Sequence, residues 1–243
     1  MSARRRPLPS APAAMVLGAL LVAGACASAP KERPRAPPPD PGELLLLDLE
    51  SKLLRAKAVH LRARLVATGA VTADLEAELW LKEGNRARLE VKGRFEGREQ
   101  RATFVSDGAQ MKVGAKAAEP AAPELREALV YGLTRMGLLH NVALLVGGEA
   151  PDHGTGGAHS WVKAERARSL APATKIAFDI VVATKVAGEG VLQLDGAGRL
   201  LERTQEVRFD VGAMKVTERY PLFLVDADLD HELDDALFAM PSP

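Results

Sequence analysis

Period-two alternation dominates the chain after residue 58. Val59, Leu61, Ala63, Leu65 and Ala67 alternate with His60, Arg62, Arg64, Val66 and Thr68. Leu75, Ala77, Leu79 and Leu81 then alternate with Asp74, Glu76, Glu78, Trp80 and Lys82. A third run sets Ala87, Leu89 and Val91 against Arg86, Arg88, Glu90 and Lys92, and a fourth sets Ala102 and Phe104 against Arg101, Thr103 and Val105. Short turns at Gly69, Gly84-Asn85 and Glu96-Gly97 separate the runs. The pattern predicts an antiparallel meander with one apolar and one charged face. After Ser106-Asp107-Gly108 comes a short strand around Met111 and Val113. A second meander is predicted over Trp161 to Ala167, Lys175 to Lys185, Gly190 to Leu194 and, after the turn at 195–198, Leu200 to Tyr220.

Helical spacing occupies the remainder. Asp40 can cap a helix whose first position suits Pro41, with Glu43 completing a capping box. Leucines at 44, 45, 46, 47, 49, 53 and 54 follow, which predicts a helix buried on both sides and ending near Lys57. A second helix is expected from about Pro123 to Met136, with Leu125, Ala128, Leu129, Leu133 and Met136 on one stripe. Leu138 to Val146 continues apolar, and 147–157 is a glycine-rich loop. Leu233, Leu237 and Phe238 predict a terminal strand or cap.

The N-terminus follows a different logic. Arg4, Arg5 and Arg6 precede an apolar run from Ala13 to Ala25, too short to cross a bilayer, which needs about 20 residues. Ala23-Gly24-Ala25 leads into Cys26, the only cysteine. This reads as a lipoprotein signal over 1–25, removed so that Cys26 becomes an acylated N-terminus. Acylation also resolves the liability of a lone thiol in an oxidising compartment, and several acyl chains on one residue give stable anchoring. Residues 26–42 form the lipidated cysteine and a proline-rich linker of extended, semi-rigid character. The folded domain is expected over 43–243.

Composition narrows the function. The 32 basic and 32 acidic residues balance, and loss of the three leader arginines leaves a modest negative excess. No basic stripe interleaved with aromatics is present, so nucleic acid is not an expected partner. The chain is 47% hydrophobic but only 4% aromatic, which predicts an aliphatic core.

Chemistry motifs are thin. Ser160 to Lys163 and Ser28 to Lys31 match S-x-x-K without its companion motifs, and no G-x-S-x-G occurs. Gly154-Thr155-Gly156-Gly157 lacks the Lys-Ser/Thr of a phosphate loop. Asp226, Asp228 and Asp230 open like a calcium loop, yet His231 stands where glycine belongs and Leu237 where glutamate belongs. His60, His140, His153, His159 and His231 lack metal-ligand spacing. No enzyme activity, metal or cofactor is expected.

The leucine-rich stretch Leu44 to Leu65, the segment Arg101-Ala-Thr-Phe-Val-Ser-Asp-Gly-Ala-Gln-Met111 and the ending Leu233-Asp-Asp-Ala-Leu-Phe238 together resemble the LolA/LolB-like superfamily of periplasmic lipoprotein and lipid carriers. The resemblance covers nearly the whole mature domain. It implies an α+β fold in which a curved antiparallel sheet forms an incomplete β-barrel over internal helices, with an aliphatic cavity for acyl chains. Its lining would come from Leu61, Leu65, Leu75, Leu79, Leu89, Val91, Phe104, Met111, Leu129, Leu133 and Met136, which could equally pack against one another as a filled core. No position matches the family's cargo-handling arginine or protruding loop leucine. An anchored chain is closer to LolB-like receptors, and Ala27 after the acylated cysteine favours the outer membrane. The expectation is therefore a lipid-anchored monomer on the periplasmic face of the outer membrane, taking acyl lipid or lipoprotein as cargo. The alternative is a non-carrier scaffold lipoprotein that binds protein partners through its charged face.

Overall fold

The computed structural model describes residue 38 and residues 40–147, 162–170, 174–182, 185–210, 212–226, 229 and 232–241. Cys26, Ser28 to Lys31, Ser160, the glycine-rich 154–157 loop, Trp161, His153, His159, His231, Asp228 and Asp230 lie outside the described residues.

Helix α1 spans Pro41–Arg55. Asp40 accepts from the Gly42 amide at 2.8 Å, and Pro41 fills the first turn, where no backbone donor is needed. Only one side of α1 is covered, contrary to the expectation from its leucines. Leu46, Leu49 and Leu53 are buried, whereas Leu44 and Leu47 are 53% and 44% exposed. The leucine run goes right round the helix, but a helix lying on a single sheet can bury only the stripe that faces it.

Strands β1 (Ala58–Gly69), β2 (Ala73–Lys82), β3 (Arg86–Phe95), β4 (Arg98–Asp107), β5 (Gln110–Val113) and β6 (Glu119–Pro120) form the first meander. The two-residue β6 arises in the alanine-rich stretch that follows β5. The second meander is β7 (Val162–Leu170), β8 (Lys175–Val182), β9 (Lys185–Leu194), β10 (Leu200–Phe209) and β11 (Gly212–Val225). Leu200 to Tyr220, expected as one stretch, is thus two antiparallel strands, the first ending at Phe209 and the second starting at Gly212, whose φ is 131°. The eleven strands among the described residues make one antiparallel sheet in the order β6-β5-β4-β3-β2-β1-β11-β10-β9-β8-β7, with β6 and β7 at its two ends. The meanders join where β1 pairs with β11.

The mid-chain helix ends at Met136 as expected but changes pitch before it does. Helix α2 (Leu125–Tyr131) runs into a π-helical turn at Gly132–Met136, and α3 (Leu138–Gly147) follows Gly137, whose φ is 94°. Gly132 supplies the close approach for this doubling back, since a Cβ there would lie 1.9 Å from Asn141 Oδ1. The C-terminal segment ends in a 3-10 turn, Asp235–Phe238, capped by Asp234. This is the cap alternative of the expected strand or cap.

Candidate functional site

The inward positions of β1 to β4 line up in register. Phe223, Leu61, Leu79, Leu89 and Phe104 form one row across β11, β1, β2, β3 and β4, and Leu65 faces Leu75 beside it. Of the expected lining residues, Leu61, Leu65, Leu75, Leu79, Leu89, Val91 and Phe104 stand on this face, all buried. Met111 on β5 is half-buried against the same core, and Leu129 on α2 and Leu133 in the π-helical turn close over it. Met136, also buried, ends that turn. The alternation places these residues together because every second side chain of a strand reaches one face. Each fully buried leucine contributes about 1.5–3 kcal/mol of burial free energy.

A buried polar group behind this face was not anticipated. Arg203 on β10 and Glu218 on β11 are both fully buried. Arg203 Nη1 and Nη2 donate to the Thr134 and Arg135 carbonyls, each at 2.8 Å, and its Nε donates to Gln205 Oε1 at 2.7 Å. Its guanidinium lies 4.7 Å from the Phe178 ring centroid. Glu218 accepts the Leu138 and Leu139 amides at 3.0 and 2.8 Å, and the Tyr220 hydroxyl at 2.5 Å. The strand pair therefore satisfies carbonyls where the π-helical turn ends and amides where α3 begins, the groups that a helix break leaves without partners. Burial, then the Glu218 carboxylate, pushes the Tyr220 hydroxyl well above the usual phenol range. Burial also lowers the Arg203 guanidinium, against the opposing pull of Glu218.

Helix α1 is tied to the same break. Arg135 makes a two-point contact with buried Glu50, Nε and Nη2 each 2.6 Å from a carboxylate oxygen, and Thr134 donates to Glu50 at 3.0 Å. Arg126 on α2 donates to the Leu53 and Ala56 carbonyls at 2.8 and 2.6 Å. The signal for Arg203 and Glu218 was present in the chain: both occupy inward-parity positions, Arg203 four before Val207 and Glu218 two after Val216.

The outer face has its own cover. Trp80, placed on the polar face by its parity, packs with Ala58, Leu229, Leu233, Leu237 and Phe238 and stacks on His60 at 5.2 Å between ring centroids. Lys82, also buried, donates to the Leu233 carbonyl at 2.8 Å and bridges Asp235 at 2.7 Å and Glu232 at 2.9 Å. Arg88 donates to the Leu237 carbonyl at 3.0 Å. The C-terminal segment is thus strapped to the outside of β1–β3. Further along this face, grooves of about 670 and 760 Å³ cross β1–β4.

Among the described residues no three His, Cys, Asp or Glu converge as a metal site, and no helix is long and apolar enough to cross a membrane.

An open antiparallel sheet of two meanders, with its apolar face turned to α1, α2 and α3, is the arrangement that the LolA/LolB resemblance implies. Among solved structures the chain is similar to a LolA superfamily protein from Nitrosomonas europaea, at 10% identity and TM-score 0.37, over 82% of this chain and 97% of that one. It is similar also to the structure of the MucA/MucB complex from Pseudomonas aeruginosa, at 11% identity and TM-score 0.36, over 82% of this chain. There it spans 61% of the compared chain's length. A DUF1329 family protein from Desulfovibrio piger shows 8% identity and TM-score 0.27. No family model and no curated protein matches the sequence.

Proposed function

We propose that this protein is an exported, lipid-anchored envelope protein that takes acyl chains of lipid or lipoprotein between its sheet and its helical cover. The observation that carries the proposal is the construction of that cover. The apolar face of the LolA-like sheet is closed by α1 and by a hairpin, α2 to α3, that is interrupted at its centre by a π-helical turn and a left-handed glycine. The sheet grips this interruption through directional bonds from Arg203 and Glu218 to its backbone. Directional bonds to a helix break can be released as a unit, uncovering Leu61, Leu79, Leu89 and Leu133 to an alkyl chain at roughly 25 cal/mol per Å² buried. Anchoring through Cys26 would hold the domain at the membrane, and the proline-rich linker would set its reach. The outer membrane is the proposed site, because Ala27 follows the cysteine.

The test is to express the domain from Pro38 onward behind a cleavable export signal, purify it without detergent, extract with organic solvent and identify bound lipid by mass spectrometry. About one acyl lipid per protein supports carriage. A stable, lipid-free domain that takes up no fatty acid removes the carrier reading and leaves the partner-binding scaffold. In the same cells, Cys26→Ser should abolish radiolabelled palmitate incorporation by the full chain. Incorporation that persists would remove the lipid anchor at this position.

A further inference from the structure

The outer face of the first meander carries a charge arrangement that the fold does not require. Register sets Arg219, Arg64, Glu76, Lys92 and Arg101 in a single row across β11, β1, β2, β3 and β4. Two neighbouring pairs in the row, Arg219 with Arg64 and Lys92 with Arg101, are like-charged, and directly opposed like charges destabilise a sheet. Glu76 meets Lys92 at 2.8 Å, Arg64 lies 3.4 Å from Asp74, and Arg219 lies 3.0 Å from Glu202. Arg101 joins none of the ion pairs seen among the described residues. The two outer grooves meet on this row, with Arg64, Glu76, Lys92 and Arg101 lining both.

The groove has a structural cause. Its floor is the backbone of Ala63, Ala77, Val91 and Ala102, which are cross-strand neighbours with short side chains turned inward. At its β11 end the ladder slips between Arg62 and Arg64, where Pro221 enters the wall. Proline has no N–H for the ladder and is tolerated where a bulge bends the strand.

We propose that this row is a docking site for an acidic, extended segment of a partner protein. The same face already holds an acidic segment in cis, one that ends in a 3-10 turn: Lys82 and Arg86 grip Asp235, Lys82 grips Glu232, and Arg88 takes a backbone carbonyl of the strap. The row lies farther along the same strands and repeats that chemistry without the covering chain. One carboxylate can reach both Lys92 and Arg101, whose backbones are about 5 Å apart in an antiparallel pair. Glu76, Glu78 and Glu90 also line the groove. They would repel a plane of phosphate headgroups, whereas an extended chain can place its carboxylates on the cations between them. The site is on the opposite face of the sheet from the acyl-binding side, so the two readings succeed or fail separately.

The experiment is fluorescence anisotropy of the full chain with a labelled alternating Asp/Ser peptide, an Asn/Ser control peptide, and flotation with phosphatidylcholine vesicles with and without phosphatidylglycerol. The expected result is saturable binding of the Asp/Ser peptide alone, weakened by salt and about tenfold weaker in Arg64→Gln/Arg101→Gln, as two charge-assisted contacts are lost. Each substitution relieves one like-charged pair, and the Arg64–Asp74 pair lost with Arg64 is exposed and weak, so the variant should melt within a few degrees of the parent. An absence of peptide binding, or binding unchanged in the double variant, overturns the proposal. So does a phosphatidylglycerol-dependent flotation that the double variant loses while the peptide never binds, which would assign the row to lipid.

Discussion

Arg203 and Glu218 are cross-strand neighbours on the inward face of β10 and β11, and both direct their hydrogen bonds into one helix break. Arg203 holds the carbonyls of Thr134 and Arg135, and Glu218 holds the amides of Leu138 and Leu139. Opposite charges therefore act on opposite ends of the interrupted backbone dipole, which is the favourable sense for each. Truncating one of them strands the other in the interior. Arg203→Leu should destabilise the protein by about 3–5 kcal/mol in urea unfolding, and the double variant with Glu218→Leu by less than the sum of the two single changes. Strict additivity would show that the two residues act independently.

Tyr220→Phe removes one hydrogen bond to a buried carboxylate and should destabilise by about 1.5–3 kcal/mol. The same hydroxyl predicts an alkaline limit. Its folded pKa is raised, so its contribution is intact below the ordinary phenol value of about 10 and is lost as pH rises through the folded value. Thermal melts should show a fall in stability in that range which is smaller in Tyr220→Phe.

Gly137 stands at φ 94°, and a Cβ on it would sit 2.7 Å from Glu218 Oε1. Gly137→Ala therefore combines a disfavoured backbone with displacement of the carboxylate. We expect a loss of about 1–3 kcal/mol, with faster amide exchange at Leu138 and Leu139 read by hydrogen–deuterium exchange. Protection unchanged at those two amides would mean that Glu218 does not hold them.

The strap should respond to acid. The Asp235 carboxyl is held below the usual carboxylate range by its hydrogen bond to Lys82, aided by Arg86, and Lys82 is raised by Asp235 and Glu232. A depressed carboxylate contributes above its unfolded value, about 3.9, and loses that contribution as pH falls through the folded value. A raised lysine keeps its contribution until pH climbs past about 10.4. Docking should accordingly hold through neutral pH and release in acid. Trp80 lies beneath the strap, so its fluorescence should change below about pH 4 in the parent and at neutral pH in Asp235→Asn.

Much of this architecture was legible in the chain because strand alternation is a local signal. Each inward residue of β1 to β4 follows from parity alone, and turns such as Gly84-Asn85 mark themselves by their residue types, with φ 75° and 62°. What was not legible depends on distant chain. The exposure of Leu44 and Leu47 follows from α1 having a sheet on only one side, which no count of leucines reveals. The π-helical end of the mid-chain helix, and its break from α3 at Gly137, depend on Asn141 packing onto Gly132 and on Arg203 and Glu218 arriving from β10 and β11. Charged residues at inward positions of those strands were the available clue. Trp80 shows the converse case, an outward residue half-buried by a segment from the far end of the chain.

The pairing of β1 with β11 also sets an order of events. The first strand of the chain finds its second partner in the last, so a growing chain carries an edge of β1 bare until Gly212–Val225 has followed. An open edge is a template for the wrong chain, and pairing across so long a loop is slow to form. A copy truncated anywhere before β11 would retain that edge permanently, making an otherwise well-patterned half-sheet a candidate for aggregation and proteolysis.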